Sequence, residues 1–77
     1  MMIKVRDLTG TEIDIEINVK DSIAWIKERI EEKQGIHPSQ QKLVFAGTQL
    51  ADDDQTAKHY DLQPGSLVHL ALAVTGG

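Results

Sequence analysis

A chain of 77 residues, 40% hydrophobic and 26% charged, has the composition of a globular protein and the length of one domain. The absence of cysteine excludes a disulfide staple, a thiolate metal site and a thiol nucleophile, and fits a reducing compartment. A net charge of -4 with eight scattered basic residues excludes the electrostatic footprint of a nucleic-acid binder, and no apolar run reaches signal-peptide or membrane-spanning length, so a soluble, intracellular protein without a membrane partner is expected.

Ile3 and Val5 alternate with Lys4 and Arg6, and Ile13, Ile15, Ile17 and Val19 alternate with Glu12, Asp14, Glu16 and Asn18. This period of two predicts a pair of strands with one buried face. They are joined through Leu8-Thr9-Gly10-Thr11, where Gly10 can supply the positive φ of a hairpin turn. In "DSIAWIKERIEEKQG" the period changes: Ile23, Ile26 and Ile30 share one side of a helix of about three turns, capped by Ser22 or Asp21 and closed at Gly35. Trp25 points away from that stripe, with Arg29 four residues on and able to stack on its indole.

Pro38 biases His37 out of the helix, Gln41-Lys42-Leu43-Val44-Phe45 reads as a short strand and Ala46-Gly47-Thr48 as a turn. Residues 51–66 read as irregular, apart from one helical turn near residues 56–60 and a turn at Gln63-Pro64-Gly65. Residues 67–74 are expected to form a last strand, with Val68, Leu70, Leu72 and Val74 facing in and Leu67, His69, Ala71 and Ala73 facing out. The order ββαββ predicts an α+β domain in which one main helix covers one face of a mixed sheet of four to five strands.

No nucleophile elbow, zinc-binding HExxH, phosphate loop or GxGxxG occurs in the sequence. The three histidines, His37, His59 and His69, lack metal-ligand spacing, and Asp52-Asp53-Asp54 lacks the alternating ligands of an EF-hand and reads as a solvated loop. Neither a metal, another cofactor nor enzymatic activity is expected. What remains is surface: Val44, Ala71 and His69 on the outward face of the sheet, with Leu8 on the adjoining turn, place apolar groups where the alternation asks for polar ones.

"MIKV", "LTG" and "EI" within residues 2–13, "IKERIEEKQGI" at 26–36, "P.QQKLVFAG.QL" at 38–50, "TAKHY" at 56–60 and "HLALA..GG" at 69–77 together resemble ubiquitin over essentially the whole chain. Lys4, Glu12 and Asp14 on the hairpin, "KERIEEK" on the helix, "TAKHY" and Ala73 are similar to the neddylation-modifier, or Rub, branch of that family; ubiquitin has arginine where Ala73 stands. The resemblance implies a β-grasp fold over residues 1–77, with residues 73–77 as a flexible conjugation tail. It further implies that an ATP-dependent activating enzyme adenylates the Gly77 carboxylate. A conjugating enzyme and a ligase then carry it to lysines of targets such as cullin-type scaffolds, and a deconjugating protease removes it, in cytoplasm and nucleus.

On the same basis Gly76 and Gly77 form the conjugation end, and Ala73 and Thr75 are the positions that activating enzymes discriminate. Thr75 departs from the arginine of the family. Leu8, Val44, His69 and Ala71 map onto the family's partner patch. Lys27 and Lys33 match acceptor lysines, Lys27 half-buried beside the stripe, whereas Thr48 and Pro64 stand at or beside two of ubiquitin's chain-forming positions. The chain is expected to be a monomer. Two alternatives stay open: a non-conjugated binding domain using the Leu8, Val44 and His69 patch, and a divergent modifier of another pathway.

Overall fold

The computed structural model describes residues 1–73, and its first two strands follow the period-two pattern. β1 (Met2–Arg6) buries Ile3 and Val5, and β2 (Glu12–Glu16) buries Ile15 and half-buries Ile13. Their antiparallel register sets Lys4 opposite Asp14 and Arg6 opposite Glu12, and both are ion pairs on the water face. Exposed pairs contribute little individually. A one-residue slip, however, would break both and turn Ile3 and Val5 outward, so charge and hydropathy specify the same register.

α1 (Ile23–Gln34) starts at Ser22, whose hydroxyl accepts the Trp25 N–H at 3.1 Å. The N–H groups of Ile23 and Ala24 are taken by the carbonyls of Gln55 and Asp53, so the first helical donors, which lack partners inside a helix, are satisfied by the neighbouring loop as well as by the cap. At the other end Gly35 adopts φ 74° and donates to the Glu31 carbonyl, a left-handed cap that a side chain would strain. Ile23, Ile26 and Ile30, each no more than 1% exposed, join Ile3, Val5, Ile15, Leu43, Val68 and Leu70 of the sheet in the core.

The structure adds two elements that no sequence pattern announced. Pro38–Gln40 forms a 3-10 turn in which His37 Nδ1 accepts the Ser39 N–H at 3.1 Å. β3 (Gln41–Phe45) turns back into β4 (Thr48–Gln49) through Ala46 (φ 51°) and Gly47 (φ 79°), both left-handed, as a tight hairpin requires. A two-residue strand is too short for a period to register. β5 (Leu67–Leu72) enters between β1 and β3, parallel to the first and antiparallel to the second, giving the order β2-β1-β5-β3-β4. The helical turn expected near residues 56–60 is a single hydrogen-bonded turn closed on Asp61 at φ 61°, with the Leu62 N–H on the Ala57 carbonyl. A five-stranded mixed sheet with one helix across one face is the β-grasp architecture.

One orientation needs correction. Leu72, expected to pack inward, is 56% exposed. Alternation keeps it on the face of Val68 and Leu70, but at this end of β5 it meets only a shallow cleft with Ile36 and Leu8. Ala73, expected to open the tail, donates its N–H to the Gln40 carbonyl at 2.7 Å. Val74, the expected selectivity residue Thr75 and the expected conjugation residues Gly76 and Gly77 lie outside the described residues.

Candidate partner-binding face and conjugation end

The register of β3 against β5 assembles the outer-face patch. Val44 pairs with His69 and Lys42 with Ala71, which makes Val44, His69 and Ala71 direct or diagonal cross-strand neighbours. His69 is exposed, Val44 and Ala71 are half-buried, and Arg6 flanks His69 from β1. Leu8, 83% exposed on the β1–β2 turn, borders a different apolar feature, a cleft of about 130 Å³ that it lines with Ile36, Leu70 and Leu72. Sequence reasoning missed that cleft. Its one local signal was Ile36, an isoleucine directly after a helix-closing glycine, where an apolar contact commonly accompanies the cap.

The turn that carries Leu8 is organised by Asp7. One carboxylate oxygen accepts the Thr9 hydroxyl at 2.6 Å, the Thr9 N–H at 2.9 Å and the Thr11 N–H at 3.1 Å, while Gly10 takes φ 87°. The Thr9 hydroxyl foremost, opposed by desolvation and helped by the backbone donors, holds the Asp7 carboxyl below the usual carboxylate value. Because the folded pKa is the lower one, this stabilisation is present above the unfolded pKa and lost as pH falls through the folded one. Asp7→Asn is therefore expected to melt earlier than the parent near neutral pH and together with it once the pH has fallen below the folded pKa of the carboxyl. A gap that persisted in acid would assign the effect to something other than the carboxylate's charge.

Elsewhere the helix surface matches expectation at one residue and differs at another. The Arg29 guanidinium lies 5.0 Å from the centroid of the half-exposed Trp25 ring and also reaches Glu32 at 2.9 Å. Lys27 is more buried than its place beside the stripe implied: its side chain is 11% exposed and its ammonium sits 2.8 Å from the Asp53 carboxylate. Asp53 thus binds Lys27 through its side chain and caps the helix through its carbonyl, so this part of the acidic loop is structural rather than merely solvated. Lys33 is exposed. Of the histidines, His37 caps the 3-10 turn, His59 packs edge-on against Tyr60 at 4.8 Å and His69 belongs to the patch.

These features meet a clear set of relatives. A model of the ubiquitin family matches residues 2–75. Over all 77 residues the chain is 60% identical to NEDD8-like protein RUB3 of Arabidopsis thaliana, covering 97% of it. It is 54% identical to Ubiquitin-like protein NEDD8 of Dictyostelium discoideum, covering 99%, and 54% identical to Ubiquitin-like protein 1 of Schizosaccharomyces pombe, covering 97%. A sheet closed around a central β5, a single capped helix and likeness along the full length of these proteins agree: the chain belongs to the ubiquitin family, among its NEDD8- and RUB-like modifiers.

Proposed function

We propose that this chain is a conjugated modifier of the neddylation type, activated at the Gly77 carboxylate by an ATP-dependent enzyme and transferred through a conjugating enzyme to lysines of target proteins such as cullin-type scaffolds. A ligase directs that transfer and a deconjugating protease reverses it, in cytoplasm and nucleus. The observation that carries the reading is likeness to NEDD8-type proteins over all 77 residues, the glycine pair Gly76-Gly77 included. With no cysteine the chain cannot exchange thioesters itself, so it is the acyl cargo and its partners supply the nucleophiles. Glycines add no side chain to a terminus that has to enter a narrow channel.

Ala73 is the proposed selector between activating enzymes. An arginine placed there would bring a guanidinium into a pocket fitted to a methyl group, where an unmatched charge loses its water without gaining a partner. Of the two candidate acceptors, Lys33 is the better placed for self-extension, because Lys27 would first have to leave Asp53.

A thioester assay with ATP and a neddylation-activating enzyme tests the reading. The intact chain is expected to form an adduct that a thiol reductant removes, deletion of Gly76 and Gly77 to abolish it, and Ala73→Arg to slow it by about tenfold or more, a barrier of roughly 1.4 kcal/mol. Patch-dependent binding with no reducible adduct would point instead to the non-conjugated binding domain. Charging by another pathway's enzyme alone would point to a divergent modifier.

A further inference from the structure

A second cleft, of about 310 Å³, opens between the β3–β4 hairpin and the turn that precedes Leu62. Phe45 and Thr48 of the hairpin line one side, His59, Tyr60 and Asp61 of the turn line the other, and Leu50, only 1% exposed, forms the floor. The Tyr60 hydroxyl accepts the Asp52 N–H at 3.2 Å, and the His59 ring stands at 89° to the Tyr60 ring with 4.8 Å between centroids. Aromatic rings therefore border the cleft from more than one direction.

Asp61 is the one carboxylate residue that lines it. Its backbone adopts φ 61° and donates to the Lys58 carbonyl at 3.0 Å, which fixes where the side chain leaves the turn. One of its carboxylate oxygens accepts the Gln63 side-chain amide at 3.2 Å, a neutral donor that leaves the negative charge in place. Every ion pair among the described residues joins other groups, so no cation of the domain answers this charge. Lys58, the cation nearest in sequence, does not line the cleft.

We propose that this cleft seats an arginine side chain of a partner protein, its guanidinium stacked on the rings of Phe45 and Tyr60 and its N–H groups donated to the Asp61 carboxylate. The face of an aromatic ring attracts a cation, and a carboxylate matches the parallel donors of a guanidinium. Gln63 takes one acceptor direction of one oxygen, and a carboxylate keeps others on both. Lysine fits less well, because its ammonium is compact, cannot stack as a plane and holds its water more strongly.

Charge rejects the competing occupants. An acidic segment meets Asp61 with no cation between them, and a purely apolar one would strip water from the carboxylate and return nothing. A second copy of the chain has no free arginine to offer, since Arg6 and Arg29, the two in the sequence, are held by Glu12 and Glu32. The cleft shares no residue with the outer-face patch or the conjugation end, so its test does not depend on activation.

The sequence holds a single phenylalanine and a single tyrosine, so their ring resonances report on the cleft without ambiguity. The full ¹³C-labelled chain is titrated with a blocked glycine pentapeptide whose central residue is arginine. The ring signals of Phe45 and Tyr60 and the Thr48 methyl are expected to shift together and to saturate. A citrulline peptide, which keeps the shape and lacks the charge, should bind at least about fivefold more weakly, and Asp61→Asn should weaken the arginine peptide by about fivefold. Asparagine tolerates the left-handed backbone of position 61, so the fold is retained. Asp54→Asn removes a charge from the exposed loop outside the cleft and should leave binding unchanged. The proposal is overturned if no ring signal moves, if the citrulline or lysine peptide binds as well as the arginine one, or if Asp54→Asn weakens binding as much as Asp61→Asn. Ring shifts that grow with protein concentration in the absence of peptide would overturn it in favour of a second copy.

Discussion

Ile30→Ala is expected to lower stability by about 3–4 kcal/mol and to bring the protein close to its unfolding midpoint under mild conditions. Ile30 is completely buried on the middle turn of α1, where its side chain completes the stripe that faces the sheet. Truncation removes apolar burial and leaves a cavity whose walls are strands fixed by their own ladders, so collapse around it is limited. Alanine is the better helix former, but that returns only about half a kcal/mol. A domain of this length buries roughly 60 to 65% of its unfolded surface and has a total stability toward the low end of about 5–15 kcal/mol, so the fractional loss is large. Urea unfolding measures it: the midpoint should fall steeply with the slope unchanged. A loss below about 1 kcal/mol would mean that the helix does not pack on the sheet as described.

The second large effect is asymmetric. Asp53→Ala is expected to cost about 1–3 kcal/mol, because it leaves the Lys27 ammonium in a site where little water replaces the lost partner. The upper part of the range for a buried pair is not reached, since the Asp53 side chain is itself 53% exposed and water screens that side. Lys27→Met removes the charge and keeps an unbranched apolar chain beside Ile23, Ile26 and Ile30, so its cost should stay under about 1 kcal/mol. In a double-mutant cycle, Lys27→Met should recover most of what Asp53→Ala loses. If Lys27→Met proved as costly as Asp53→Ala, the pair would be a source of stability in its own right and the reasoning from burial would fail.

What could be read from the residues was what is encoded locally. Ser22, the isoleucine stripe and Gly35 lie within one segment and define α1 almost to the residue. The hairpin is equally plain, since period and opposed charges name the same register. Alternation tells which way a side chain faces, however, and not which strand stands beside it; the parallel pairing of β1 with β5 joins opposite ends of the chain and was not legible. The same limit hid the cleft of Ile36 and Leu72, and it turned Leu72 from a supposed core residue into an exposed one. Lys27 was misjudged because its burial depends on Asp53, in a loop whose sequence shows only charge. The patch residues Val44, His69 and Ala71 were legible from alternation, and the β3–β5 register brings them together. The conjugation end is a proposal that rests on resemblance alone, for a pair of glycines has no periodicity to interpret.

The central position of β5 also bears on how the protein is made. Remove residues 67–72 and the sheet falls into two ribbons, β2-β1 and β3-β4, that share no ladder. Two-stranded ribbons are marginal in water by themselves. A nascent chain on the ribosome therefore has no complete sheet to form until its last strand has emerged, and closure then depends on contacts between distant parts of the sequence. Translation itself becomes the checkpoint: a product interrupted before that strand stays unfolded and open to proteases, and only copies synthesised past it mature into the native domain.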